Sequence, residues 1–156
     1  MLHEQTMNKL LAMKLNGMAE AYEEQSRQSR IEDLSFGDRF GMLVERQYLW
    51  KEERALKSRL HYAGLRQNAC VEDLDYRSRR GLERSAIEGL SNCEWIRRGR
   101  NCTITGPTGV GKSYLACALA QKACREGYRA LYFYAPKLFR ALATAQADGS
   151  LTKLFT

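Results

Sequence analysis

The sequence predicts an α/β chain: a small N-terminal helical domain over residues 1–66, followed by the first part of a parallel-sheet domain over 67–156. Three observations predict it. Apolar residues recur at helical spacing as far as Leu60, and Gly64 then supplies a stop. From Asn101 onward the order reads strand, glycine-rich loop, helix, strand, helix, which is how a parallel α/β domain opens. Only two prolines interrupt a chain rich in Leu, Ala, Arg and Glu, so helix dominates.

Leu10, Leu11, Leu15, Met18, Ala19 and Tyr22 predict an amphipathic helix over about residues 4–28. Ser26, Ser29 and Glu32-Asp33 break it. Ser35-Phe36-Gly37-Asp38 leads into a second helix with an apolar stripe of Phe36, Phe40, Leu43, Val44 and Leu49, running on through Trp50, Ala55 and Leu56. An acidic turn, Glu72-Asp73-Leu74-Asp75-Tyr76, precedes a short helix through Ile87 and Leu90. Asn101-Cys102-Thr103-Ile104-Thr105 predicts a short buried strand, and Arg129-Ala130-Leu131-Tyr132-Phe133-Tyr134 a second. Between them Ser113–Glu126 predicts a strong helix with Gly127 at its C-terminal cap. Pro136 starts a last helix that ends near Asp148-Gly149. Two parallel strands do not complete a core, so the sequence reads as a domain cut short.

The composition, 44% hydrophobic and 28% charged, excludes disordered and fibrous classes. No apolar run approaches the ~18 residues that span a bilayer, and the start lacks a secretory signal. The expectation is a cytoplasmic protein without a membrane partner. Five cysteines without a CxxC pair indicate neither a zinc site nor a disulfide framework. Cys117 and Cys124, two helical turns apart, read as core residues.

The net charge of +7 is unevenly spread. Residues 1–38 hold 4 basic and 7 acidic side chains, 39–66 hold 7 and 3, and 67–76 hold 0 and 3. Residues 77–100 hold 7 and 3, and 101–156 hold 7 and 2. Basic blocks of this kind attract polyanions, or else form a solvated helix face.

The sharpest signal is Gly106-Pro107-Thr108-Gly109-Val110-Gly111-Lys112-Ser113, which meets the phosphate-loop pattern GxxxxGK[ST]. Glycines let successive backbone N–H groups point inward and leave room for phosphates. The helix that begins near Lys112 adds its positive end. Lys112 is expected to neutralise the β- and γ-phosphates of ATP, and the Ser113 hydroxyl to ligate Mg²⁺.

From Glu72 onward the chain resembles the IstB-like ATP-binding proteins, the helper ATPases of insertion-sequence transposition, which are of the AAA+ class and similar to the DnaC helicase loaders. The carrying segments are Glu72–Tyr76 with Arg79-Arg80-Gly81-Leu82, then Cys93-Glu94-Trp95-Ile96, Gly106–Ala118, Ala123–Tyr128, and Ala147-Asp148-Gly149-Ser150. The resemblance extends into the N-terminal helices. It implies a P-loop (AAA+) parallel-sheet domain that binds ATP and Mg²⁺. It also implies assembly on double-stranded DNA without sequence preference, activation of a partner transposase, and a homo-oligomer of the full-length form.

On that resemblance the N-terminal helices serve assembly and partner contact, and the blocks 39–66 and 77–100 touch DNA phosphates. Cys93–Ile96 is placed beside the adenine, where Trp95 either packs or stacks. The acidic strand end, polar sensor and neighbour's arginine that hydrolysis needs would follow residue 156, so the chain carries the binding half of the site. Three other readings stay open: a DnaC-like replicative helicase loader, a small P-loop kinase, which the helical domain ahead of the loop disfavours, and an inert remnant whose interrupted sheet does not fold stably.

Overall fold

Residues 2–12 form helix α1 (Leu2–Ala12), and α2 (Asn16–Arg27) follows after a sharp break. Lys14 makes the break with a left-handed φ of 60°, and Leu15 N–H bonds back to Leu10 O. The single helix expected over 4–28 is thus two. The computed structural model describes residues 2–77 and 81–154. Ser78–Arg80, part of the basic block 77–100, lie outside the described residues, and with them the Arg79-Arg80 of a segment that carries the resemblance.

The chain divides into two compact units, Met1–Ser58 and Arg59–Thr156. In the first, α1 and α2 pack on each other, and α2 packs on the N-terminal part of the long helix α3 (Phe36–Ala63). Gly17 permits this close approach: a Cβ there would lie 2.7 Å from Trp50 Cβ and 2.8 Å from Arg46 O. Gln47 is buried beside it, and its Oε1 accepts the Met18 N–H at 3.1 Å, satisfying one of the orphan donors at the start of α2. On α3 the contact with α2 is therefore made at Arg46, Gln47 and Trp50. Phe36, Phe40, Val44 and Leu49 are exposed instead, with Phe36 and Phe40 stacked on each other.

The second unit begins with the last turns of α3, which Gly64 ends at φ 55°. Helices α4 (Arg84–Ser91), α5 (Glu94–Arg97), α6 (Lys112–Arg125), α7 (Ala135–Ala147) and α8 (Leu151–Leu154) follow. The core lies on α6, where Cys117 and Ala118 pack with Ala69, and Leu65, Val71, Tyr114 and Tyr132 close around them. Arg59 donates to Cys124 O at 2.9 Å, supplying a partner for a carbonyl in the last turn of α6.

The parallel sheet expected for residues 67–156 is absent: among the described residues there is no strand. Burial does alternate along both predicted segments. Cys102 and Ile104 are half-buried between exposed Thr103 and Thr105, as are Ala130 and Tyr132 between exposed neighbours. Alternation reports a segment's local pattern, but a strand exists only when a neighbouring backbone accepts its hydrogen bonds. The two segments do not pair with each other, and Tyr132 N–H donates to Ala63 O, at the end of α3. No second layer covers Leu131 and Phe133, each 59% exposed. Among the described residues no helix is long and apolar enough to cross a membrane.

Candidate nucleotide site

Eight residues, Gly106 to Ser113, form one continuous path from the segment after Asn101 into the first turn of α6. Gly109 at φ 86° and Gly111 at φ 94° take the left-handed turn that an L side chain resists, which is why glycine is required there. Gly111 is the N-cap of α6. No side chain caps that helix and its first turn holds no acidic residue, so its N–H groups and positive end are left for an anion.

Lys112 is turned back onto the loop. Its Nζ donates to Gly106 O at 2.8 Å and to Pro107 O at 2.6 Å. Two carbonyls are modest partners for an ammonium group, and phosphate oxygens are stronger ones. The loop thus holds its cation at its own centre in a form that a phosphate can displace. Ser113 is exposed in the first turn of α6.

A cleft of about 400 Å³ opens beside the loop, within the size range of small-molecule sites. Val110, Gly111, Lys112, Tyr114 and Leu115 line one side, with Ile104 and Thr105. Asp73, Leu74, Asp75, Gly81 and Leu82 line the other. Sequence reasoning missed this second wall, although the acidic turn at 72–76 had stood out. Its place depends on long-range contacts: Ala69 and Val71 pack on α6, and the Arg125 guanidinium bonds Glu72 Oε1 at 2.6 Å. A hydrogen bond from its own backbone amide, and then Arg125, hold the Glu72 carboxyl below the usual carboxylate range.

Cys93–Ile96 does not border this cleft. Trp95 and Ile96 line a separate apolar hollow of about 300 Å³ with Cys102, Leu119 and Tyr128, and Trp95 Nε1 donates to Leu90 O at 3.0 Å. Of the two roles open to Trp95, the structure gives packing. Cys93 is buried at a left-handed φ of 57° between α4 and α5, and burial pushes its thiol pKa up. All five cysteines are free thiols.

Much of the basic charge has internal partners. Arg97 and Arg98 both bond Glu94, Arg84 pairs with Glu88, and Lys57 with Glu53. Arg46 lies 3.8 Å from Glu20 and 3.7 Å from Glu24, and the Arg54 guanidinium sits over the Trp50 ring. These pairs are solvent-exposed, so each contributes little and competes weakly with an external phosphate.

Comparison with known proteins gives this arrangement a family. The family described as IstB-like ATP binding protein matches residues 8–156. An insertion sequence ATP-binding protein of Sinorhizobium fredii, y4pL, is 46% identical over 154 residues, 99% of this chain and 63% of its own length. The insertion sequence IS1162 ATP-binding protein of Pseudomonas fluorescens is 42% identical over 96% of this chain and 65% of its own length. That of insertion sequence IS21 in Pseudomonas aeruginosa is 26% identical over 92% of this chain and 54% of its own length. The chain thus spans between half and two thirds of these relatives. With a phosphate loop built as described and a match over nearly its whole length, the chain belongs to the IstB-like ATP-binding proteins.

Proposed function

We propose that the chain binds Mg-ATP at Gly106–Ser113 as the nucleotide-binding part of a helper protein in insertion-sequence transposition. The observation that carries this reading is the loop itself. Within eight residues it combines left-handed glycines, a start of α6 that no side chain caps, and Lys112 folded back onto the loop's own carbonyls. In the bound state Lys112 Nζ exchanges the Gly106 and Pro107 carbonyls for β- and γ-phosphate oxygens, and the backbone N–H groups of the loop donate to the same phosphates. The Ser113 hydroxyl stands one residue on, in the first turn of α6, as the protein's ligand to Mg²⁺. The cleft beyond, walled by Asp73–Asp75 and Leu82, has the volume to take the nucleoside.

The names of the relatives support transposition over helicase loading, since each belongs to an insertion sequence. The wider role has three parts: assembly on double-stranded DNA, activation of a transposase, and association of several copies in the full-length protein. DNA contact would rest on the basic blocks 39–66 and 77–100, through phosphates and without base reading. Equilibrium binding of Mg-ATP to wild type and to Lys112→Ala tests the nucleotide reading. Loss of most of the affinity in the variant is expected, and wild-type affinity in Lys112→Ala rules the reading out.

A further inference from the structure

Away from the phosphate loop, the second unit carries another cavity, of about 570 Å³, lined by Gly64, Arg66, Tyr132, Tyr134 and Lys137. It lies where the end of α3 meets the start of α7. Tyr132 N–H donates to Ala63 O at 2.9 Å, and the Arg129 guanidinium sits 5.5 Å over the Tyr62 ring. Tyr134 caps α7 with its backbone carbonyl, which accepts from Lys137 and Leu138 N–H, while its side chain stays 58% exposed.

The charge around this cavity is one-sided. Residues 59–66 and 128–140 together hold Arg59, Arg66, Arg129, Lys137 and Arg140, and not one Asp or Glu. Among the described residues neither Arg66 nor Lys137 forms an ion pair. Two cations flanking two tyrosines in a cavity whose lining holds no carboxylate suit an anionic ligand with a flat face. A nucleic-acid strand is such a ligand: aromatic side chains stack its bases and a cationic groove follows its phosphates. An acidic peptide would satisfy the cations but leave the rings unused.

We propose that this cavity is a stacking site for unpaired DNA, with a base against Tyr134, Tyr132 beside it, and the neighbouring phosphates on Arg66 and Lys137. The inference extends the DNA reading above from duplex phosphates to an exposed base. It does not depend on nucleotide at the phosphate loop.

The test uses the full 156-residue chain without nucleotide or Mg²⁺. Fluorescence anisotropy follows a labelled oligothymidylate, an abasic strand with the same number of phosphates, and a duplex. The oligothymidylate should bind more tightly than the abasic strand. Tyr134→Ala should cost it about five- to a hundred-and-fiftyfold, the usual range for one stacked base, and leave the abasic strand unaffected. Tyr134→Trp should restore the affinity. Arg66→Ala and Lys137→Ala should each lower the salt slope for both strands by about 0.7.

Equal binding of the two strands, unchanged binding by Tyr134→Ala at an unchanged melting temperature, or equally strong binding of polyglutamate would each overturn the site. Binding of duplex alone would overturn it too while leaving the duplex reading intact; binding of no DNA at all would end both.

Discussion

Replacing Gly17 by alanine should destabilise the first unit, although a methyl group normally strengthens a helix. Gly17 lies in α2, where Gly→Ala alone contributes about 0.5–1 kcal/mol. Against this, the new Cβ meets Trp50 Cβ at 2.7 Å, Arg46 O at 2.8 Å and Gln47 Cα at 3.0 Å. Ordinary carbon contacts lie at roughly 3.5–4.0 Å. None of these three atoms is the far end of a flexible side chain, so α2 must withdraw from α3 by about 1 Å. Overpacking of this kind costs about 1–3 kcal/mol. Withdrawal also stretches the hydrogen bond from Met18 N–H to Gln47 Oε1, worth about 1 kcal/mol.

The net expectation for Gly17→Ala is a loss of about 1–3 kcal/mol, or roughly 3–10 °C in Tm for a chain of this size. Gly41→Ala, in α3 with no atom within 4 Å of its Cβ, should gain about 0.5–1 kcal/mol. Thermal and urea unfolding followed by far-ultraviolet circular dichroism measure both. Opposite signs support the packing described; a Gly17→Ala variant at least as stable as wild type refutes it.

Other measurements probe other parts of the molecule. In the folded chain, Cys70 and Cys102 should react with a thiol reagent well before the buried Cys93, Cys117 and Cys124, and five equal rates would contradict the burial described. Glu72 is ionised below its ordinary range in the folded state, so its contribution is present at neutral pH and is lost as pH falls through its native pKa. Glu72→Gln should therefore melt below wild type at pH 7, with the gap closing in acid; a gap that persists unchanged in acid would remove the ion pair as its cause. Duplex affinity should fall steeply from low to physiological salt, and an affinity indifferent to salt would exclude phosphate contacts.

What could be read in the sequence depended on how local each feature is. Helix α6 and its loop were legible because Gly111, Lys112 and Gly127 act within a few residues of where they stand. Gly64 ended α3 for the same reason. The break at Lys14 was not read, because the left-handed residue is itself a lysine, and the turn-prone Asn16-Gly17 beside it lies in the first turn of α2.

Periodicity named the packing face of α3 only in part, with Trp50 on it and Gln47 missed. Phe36, Phe40 and Val44 form a valid helical stripe, but the contact with α2 is chosen by Gly17, which admits only a near approach at Gln47 and Trp50. The predicted strands at 101–105 and 129–134 carried the right alternation, yet a sheet is a property of partners, and neither segment pairs as a strand here. Likewise Asp73, Leu74, Asp75, Gly81 and Leu82, which line the cleft, precede the loop by about 24 to 33 residues, and the turn at 71–73 is held by Ala69, Val71 and the Glu72–Arg125 pair.

The central claim is that Gly106–Ser113 holds the polyphosphate of a nucleotide. Calorimetric titration of the wild-type chain with Mg-ATP, AMP and inorganic tripolyphosphate tests it most directly, because the three ligands separate phosphate from nucleoside. Saturable binding of ATP, measurable binding of tripolyphosphate that competes with ATP, and little binding of AMP are predicted. AMP binding as tightly as ATP, or tripolyphosphate failing to compete, would contradict it.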